Sequence, residues 1–405
     1  MSIALKDNNI AISGRVDTSN AADVEKELFE VCAKLSVDNI TIDAAELTYI
    51  SSAGLRVLMK LRKEKKSLSL INVSSDVYEI LETTGFTQIL DVHKAMRSIS
   101  IEGCQLIGHG GFGTVYRLNE DTIVKVYDRG ATAGLDFIRR EQETAKKAFV
   151  HGIPTAISFD VVRVGEFYGV VYELLDADDL AQYIIKNPDQ LEEMARRFAR
   201  LAKHIHSIQA KEGDFQEAAS IFWAPLAAMK GLVSDEQYKQ VEDSIAALPT
   251  AKTLVHGDFH ARNTLIRDNE LELIDMGDVS VGHPILEFTS LFLLISMFEG
   301  PGAIGPRAQI YTGMDCDTLH AFTDIVLDEY FGEKLNENNR PLFDEAMELL
   351  IHLRRVPIAC ARLANLGDAA TDETNARLKE GIDCILQVTP ERVKKVFDQL
   401  LKTLF

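Results

Sequence analysis

Residues 254–278 read LVHGDFHARNTLIRDNELELIDMGD. Asp258 stands in a polar stretch, Asn263 five residues later and Asp275 twelve beyond that. Thr264–Ile266 is apolar and β-prone, Asp268-Asn269 has turn composition, and Leu271–Ile274 is apolar again, so a hairpin is expected. Asp258 and Asn263 then fall on the loop before its first strand, and Asp275 falls just past the end of its second. All three gather at one edge of a small sheet. An Asp, an Asn and a second Asp suit phosphoryl transfer. That chemistry needs a carboxylate near an accepting hydroxyl and oxygen ligands for Mg²⁺ on the phosphates of ATP.

Working outward, IGHGGFGTV at residues 107–115 carries Gly108, Gly110, Gly111 and Gly113 in the pattern GxGxxGxV, with Val115 closing it. Such glycines serve dinucleotide turns and kinase flaps alike. A dinucleotide fold would enter a helix after the third glycine. Here Thr114–Arg117 continues as a strand, Asn119–Asp121 turns, and Thr122–Tyr127 is a second strand, which disfavours an NAD site. The hairpin fits a flap whose backbone N–H groups face phosphate oxygens. Lys125 stands mid-strand between Val124 and Val126, an unusual inward position for an amine unless it meets an anion. The helix predicted over Phe137–Phe149 supplies its partner, Glu141 in the first place and Glu143 in the second. Val161–Val164 and Tyr168–Glu173 complete the sheet. Tyr172–Leu175, with Glu173 among the cofactor-binding candidates, connects to a mainly helical remainder predicted over Leu191–Ile208, Tyr238–Leu248, Pro284–Phe298, Thr318–Tyr330, Arg340–Leu363 and Thr374–Leu386. Asp176, Asp178 and Asp179 are expected to cap the next helix, with facing substrate as the alternative. His204 and His206 are expected to pack or cap, Trp223 to pack, and Arg354 and Arg355 to reach solvent or pair with acids.

In this order the glycine loop, Lys125, Glu141, HGDFHARN and IDMGD resemble the aminoglycoside phosphotransferase and choline kinase branch of the protein-kinase-like fold, over residues 101–400. HGD stands for the kinase HRD, and Met276 stands where DFG has Phe. The resemblance implies that Asp258 orients or deprotonates the acceptor hydroxyl, that Asn263 and Asp275 bind Mg²⁺, and that Lys125 holds ATP phosphates. It also implies that His256 braces the loop. His283 occupies a position often held by Asp.

Residues 1–98 alternate strands and helices: a strand at Ile10–Ile12, a turn at Gly14–Asp17, a helix at Asn20–Leu35, a strand at Asn39–Asp43, a helix at Gly54–Lys63, a strand at Leu68–Ile71 and a helix at Val77–Thr83. That order favours parallel pairing. Ser51-Ser52-Ala53-Gly54 opens a helix, where a hydroxyl caps backbone N–H groups and where a phosphate would be favoured. ITIDAAELTYISSAGLRVLMKL and LSLINVSSDVYEILETTGFTQIL resemble a STAS domain of the anti-sigma-factor-antagonist type, which implies a protein partner and a phosphorylatable residue at this junction. Aligned on the glycine of the family's DSSG or DSTG, the modified position falls on Ala53. Ser52 is then the first candidate and Ser51 the second.

The expected architecture is an α/β STAS domain at 1–98 followed by an α+β bilobal kinase-like domain, with an N-lobe at 101–175 and a helical C-lobe at 176–405. A short polar join lies at Lys94–Glu102. The 405 residues exceed a single ordinary core, and 46% hydrophobic content supports folded domains. A formal charge of −19 argues against nucleic acid or an anionic membrane as the main partner and permits a cationic substrate. Five scattered cysteines without CxxC point to free thiols in a reducing compartment and away from zinc. No signal peptide is read at the N-terminus and no membrane span in Ile285–Phe298, so a cytoplasmic location is expected.

Overall fold

The computed structural model describes residues 1–405 except 7–8, 36, 110–112, 129–133, 212, 302 and 367–371. The chain divides into two compact units, Met1–Ser100 and Ile101–Phe405.

The first unit runs β1 (Ser2–Lys6), β2 (Asn9–Val16), α1 (Ala21–Leu35), β3 (Asn39–Ile50), α2 (Ser52–Glu64), β4 (Ser67–Val73), α3 (Ser75–Thr83) and β5 (Asp91–Lys94). Its sheet has the order β1-β2-β3-β4-β5, with β2 to β5 parallel and β1 antiparallel to β2. Alternate residues of the strands are buried (Ile10, Ile12, Ile40, Ile42, Leu68, Leu70), and Val24, Leu28, Leu58, Leu61, Val77 and Leu81 from the helices cover them. Burying a sheet face under crossover helices is what the alternation of elements dictates. Gly14–Val16, expected as a turn, instead continues β2. Gly14 adopts φ +83°, and the pairing with β3 shifts register between Gly14 and Arg15. The extra residue of this bulge is Thr48 of β3, whose hydroxyl donates to Gly14 O at 3.1 Å, and the left-handed glycine lets β2 run on opposite it. The same pairing carries β3 on to Ile50, well past the expected Asp43.

After β6 (Arg97–Ile99), which falls within the expected polar join, the second unit opens with β7 (Gln105–His109), β8 (Thr114–Arg117), β9 (Thr122–Val126), α4 (Leu135–Val150), β10 (Ser158–Val164) and β11 (Phe167–Glu173). Within this unit the strands lie in the order β10-β11-β9-β8-β7, each antiparallel to its neighbour. Then come β12 (Asp178–Asp179), α5 (Leu180–Lys186), α6 (Leu191–Ser207), β13 (Gln216–Glu217), α7 (Ser220–Trp223), α8 (Asp235–Ala246), β14 (Leu254–Val255), β15 (Thr264–Arg267), β16 (Glu270–Leu273) and β17 (Ser280–Val281). The chain ends with α9 (Thr289–Phe298), α10 (Gln309–Thr312), α11 (Cys316–Phe331), α12 (Arg340–Leu366), α13 (Asp372–Ile385) and α14 (Pro390–Leu404).

The helical core is aromatic at its centre. Phe198, Phe259, Phe288, Phe322 and Phe343 are fully buried, and the Phe198 and Phe259 rings stack at 4.0 Å. Phe259 belongs to the HGDFHARN segment, so this core anchors the loop that carries Asp258. Asp179 caps α5 by accepting from Gln182 N at 2.9 Å, and Asp178 pairs with Lys186 at 2.7 Å. Pro284–Phe298, expected as one helix, splits into a 3₁₀ turn at Pro284–Phe288 and then α9. Among the described residues no helix is long and apolar enough to cross a membrane.

Candidate active site

β15 and β16 pair from Thr264↔Leu273 to Arg267↔Glu270. Asp268 and Asn269 both take left-handed backbone angles, φ 50° and 64°. A two-residue hairpin of this twist demands such angles, and Asp and Asn tolerate them best after glycine. At the open end Ile274 N donates to Asn263 O at 3.0 Å, which sets Asn263 beside the residue preceding Asp275. Asp275 itself has φ 64°, a sparsely populated angle for a non-glycine residue, held here between the end of β16 and the 3₁₀ turn Met276–Asp278. The buried His256 ties the two motifs together. Its Nε2 donates to Ile274 O (3.2 Å), while its Nδ1 accepts from Asp258 N (3.3 Å).

Lys125 lies in β9 opposite Val115 of β8 and Val170 of β11. Flanked by two valines, its side chain is only 15% exposed and its ammonium bonds Glu141 Oε1 at 2.8 Å and Asp275 Oδ1 at 2.9 Å. Of the two carboxylates offered by α4, Glu141 makes this contact and Glu143 is exposed. Tyr127 Oη also donates to Glu141, at 2.6 Å. Burial works against the charged lysine, and Asp275 and Glu141 outweigh it, holding the ammonium protonated far above its ordinary range.

Asn263 Nδ2 donates to both Asp258 O and Asp258 Oδ2, each at 3.0 Å. That orientation of the amide reserves Asn263 Oδ1 as an acceptor or ligand atom. Three cationic or polar groups face Asp258: His260 Nε2 at 3.4 Å from Oδ2, Arg354 Nη2 at 3.7 Å from Oδ1, and His256. Burial would raise the Asp258 carboxyl, but these neighbours prevail and hold it below the usual carboxylate range. Asp278 moves the other way. Burial raises it, Arg354 at 3.6 Å opposes, and Asp258 and Asp275 add to the rise.

Two supporting residues come from outside residues 254–278. Glu287, fully buried, accepts from His256 N at 2.6 Å and Gly257 N at 2.9 Å, and faces His206 Nε2 at 3.3 Å. His206 in turn contacts Tyr330 Oη at 2.7 Å. Arg354, 5% exposed in α12, donates to Gly257 O at 2.7 Å while reaching Asp258 and Asp278. The sequence places Arg354 no more narrowly than solvent or an acid partner. Glu287 appears there only as an interruption of an apolar run, although a carboxylate in such a run is the signal that could have flagged it.

Of the glycine-flap candidates, Gly110 and Gly111 lie outside the described residues. Gly108 pairs with Val115. A Cβ on Gly113 would stand 2.0 Å from Val126 O, so only glycine lets the chain pass there. Glu173 is engaged within the protein. Its Oε1 pairs with Arg267 at 3.2 Å, its Oε2 accepts from Ile157 N, and its own N–H donates to Ile157 O. In the first unit, Ser51 Oγ accepts from Ala53 N (3.2 Å) and Gly54 N (3.5 Å), capping α2, and Ser52 begins the helix exposed.

The Phosphotransferase enzyme family profile matches residues 103–322, and the STAS domain profile matches residues 4–99. The Bordetella bronchiseptica protein BtrV, a candidate anti-sigma factor antagonist, is 35% identical over 85 residues, 20% of this chain and 72% of its own. Among solved structures, a choline/ethanolamine kinase family protein from Mesorhizobium loti is 16% identical, with 74% of this chain and 92% of its own covered at a TM-score of 0.44. The gentamicin complex of APH(2")-IIa is 18% identical, with 80% and 99% covered at the same TM-score. The profile that spans more than half of the residues decides the assignment: the chain belongs to the phosphotransferase enzyme family, and it carries a STAS domain ahead of that region.

Proposed function

We propose that Ile101–Phe405 transfers the γ-phosphoryl group of ATP, with Mg²⁺, to a hydroxyl on a small molecule of aminoglycoside or choline type or on a protein serine. The observation that carries this reading is the meeting of Lys125 with Glu141 and Asp275 beside the hairpin that bears Asp258 and Asn263. The donor set suits Mg²⁺: Asp275 Oδ1, Asp275 Oδ2 and Asn263 Oδ1 are hard oxygens. When bound, Mg²⁺–ATP supplies the phosphoryl group and neutralises charge on its oxygens. Lys125 holds phosphate through its ammonium, fixed in place by Glu141. Asp258, kept ionised by His260 and Arg354, orients the acceptor hydroxyl and takes its proton as the new O–P bond forms and the bond from the γ-phosphorus to the β-phosphate oxygen breaks, ADP leaving with that electron pair; Asp258 then returns the proton to water. Gly108, Gly113 and Val115 shape the flap. Positioning and electrostatics supply the rate.

The test is ADP release on a panel of aminoglycosides, choline and related alcohols. Asp258→Ala loses on the order of a thousandfold in turnover. Near-normal turnover in that variant rejects the assignment.

A second reading is favoured by the likeness to BtrV and by the exposure of Ser52 at the start of α2. Here Met1–Ser100 binds a protein partner, and phosphorylation of Ser52, or of Ser51 in the second place, switches that binding. Intact-mass measurement after incubation with Mg²⁺–ATP, with and without partner candidates, decides it. An unchanged mass throughout removes self-phosphorylation.

A further inference from the structure

Away from this site, three metal-ligating side chains meet where a surface excursion leaves and rejoins the helical core. Glu299 follows α9, Cys316 opens α11, and His320 stands one turn along the same helix. The i, i+4 spacing of Cys316 and His320 puts both on one helical face. A carboxylate oxygen of Glu299, the Cys316 Sγ and a ring nitrogen of His320 all lie within 4.8 Å of one another. His320 Nε2 is 2.9 Å from Glu299 Oε1. We propose that Glu299, Cys316 and His320 form a binding site for zinc or a divalent transition metal of similar softness, fastening the base of the segment between α9 and α11.

The donor chemistry selects the metal. One thiolate, one imidazole and one carboxylate make the mixed S, N, O set that Zn²⁺ accepts in tetrahedral geometry, with a fourth position left for water. Mg²⁺ requires hard oxygens and avoids sulfur, so this site and a nucleotide-bound Mg²⁺ would not compete. Zn–ligand bonds of about 2.0–2.3 Å hold donor atoms roughly 3–4 Å apart, a contraction that side-chain rotation supplies here. On binding, the Cys316 thiol gives its proton to solvent as the S–metal bond forms. His320 binds through one ring nitrogen and keeps its proton on the other. Glu299 exchanges its hydrogen bond for coordination.

The segment so fastened reaches the catalytic loop. Ile304 N donates to Met297 O at 2.8 Å near its start. Further on, the backbone oxygens of Ile310 (3.0 Å) and Tyr311 (3.3 Å) accept from Arg262 Nη1, and Arg262 is the neighbour of Asn263. The side chains of Ile310 and Tyr311 stand exposed beside this contact. Closing the segment at its base lowers the entropy of the residues that brace Arg262. The metal site itself stands whether or not residues 254–278 transfer phosphate.

The experiment uses the full chain, stripped with chelator and titrated with Co²⁺. One equivalent gives a near-ultraviolet thiolate-to-cobalt band with visible bands of four-coordinate geometry, and Zn²⁺ but not excess Mg²⁺ displaces it. Cys316→Ser abolishes the thiolate band and Cys104→Ser keeps it. His320→Gln and Glu299→Gln each weaken zinc affinity, by on the order of a hundredfold, since even outer-shell losses cost ten- to a hundredfold. Zinc raises the melting temperature of the parent chain and not of Cys316→Ser. Absence of a thiolate band, its survival in Cys316→Ser, or unchanged zinc affinity in both His320→Gln and Glu299→Gln overturns the proposal.

Discussion

At the start of α2 a hydroxyl caps two backbone N–H groups and the next serine faces solvent. Across residues 254–278 the arrangement is the reverse. A buried ammonium is held by Glu141 and Asp275, and a buried guanidinium lies between Asp258 and Asp278. The first place depends on four consecutive residues, Ser51 to Gly54, and the second on side chains drawn from α4, β9, α12 and the turn before α9. A helix terminus supplies its N–H donors from local geometry alone. A cluster of like-signed carboxylates holds together only when cations from elsewhere in the chain offset their repulsion and desolvation. The two places should therefore respond differently to mutation, and five substitutions measure how sharply.

Glu287→Gln should have the largest effect. It replaces a buried carboxylate that accepts from two backbone N–H groups with an amide that offers hydrogens of its own, and about 3 kcal/mol of stability should be lost. Urea unfolding followed by amide exchange over residues 254–278 reads this, and an unchanged midpoint would place the support elsewhere. Arg354→Met should follow, lowering turnover roughly ten- to a hundredfold by analogy with lost outer-shell partners, with the KM for ATP little altered. A pure KM effect would mean that Arg354 serves nucleotide binding and not Asp258. Gly54→Leu comes next. A Cβ at Gly54 would stand 2.7 Å from side-chain carbons of both Ile50 and Val16. The first turn of α2 must then move, at a cost of about 2 kcal/mol to the first unit alone. Smallest is the serine pair. Ser51→Ala should cost about 1 kcal/mol through loss of the cap, and Ser52→Ala close to nothing. Thermal unfolding of residues 1–100 by exchange mass spectrometry separates the two, and equal costs would contradict the division of labour between them.

The same contrast governs what was legible beforehand. The serine junction, the hairpin and the Asp–Asn–Asp spacing are written in contiguous residues, so local periodicity and turn chemistry reveal them. Lys125 was legible because an amine between two valines in a strand is anomalous, and α4 offered Glu141 and Glu143 as partners. Arg354 and Glu287 carry no comparable local mark. Arg354 sits beside Arg355 in a long helix, and only tertiary packing decides that the first turns inward to Gly257 O while the second reaches Ser296 O. Gly14 misled because a glycine before Arg-Val-Asp has the composition of a turn, whereas its positive φ lies within β2, opposite a bulge in β3. The seven further residues of β3, Ala44–Ile50, show the usual boundary problem in another form: pairing with β2, not propensity, carries the strand past the point where the local pattern fades, and α14 (Pro390–Leu404) lies beyond the last helix read from the sequence.

Trp223 is the chain's single tryptophan, and it lies in α7 against the helical core of Ile101–Phe405. Indole emission consequently reports the surroundings of α7 within Ile101–Phe405. A denaturation curve recorded by fluorescence describes one unit only, and subtracting it from a curve recorded by far-ultraviolet circular dichroism isolates the other. The molecule thus comes with a built-in optical label, and no dye or fusion is needed to ask whether its halves unfold together.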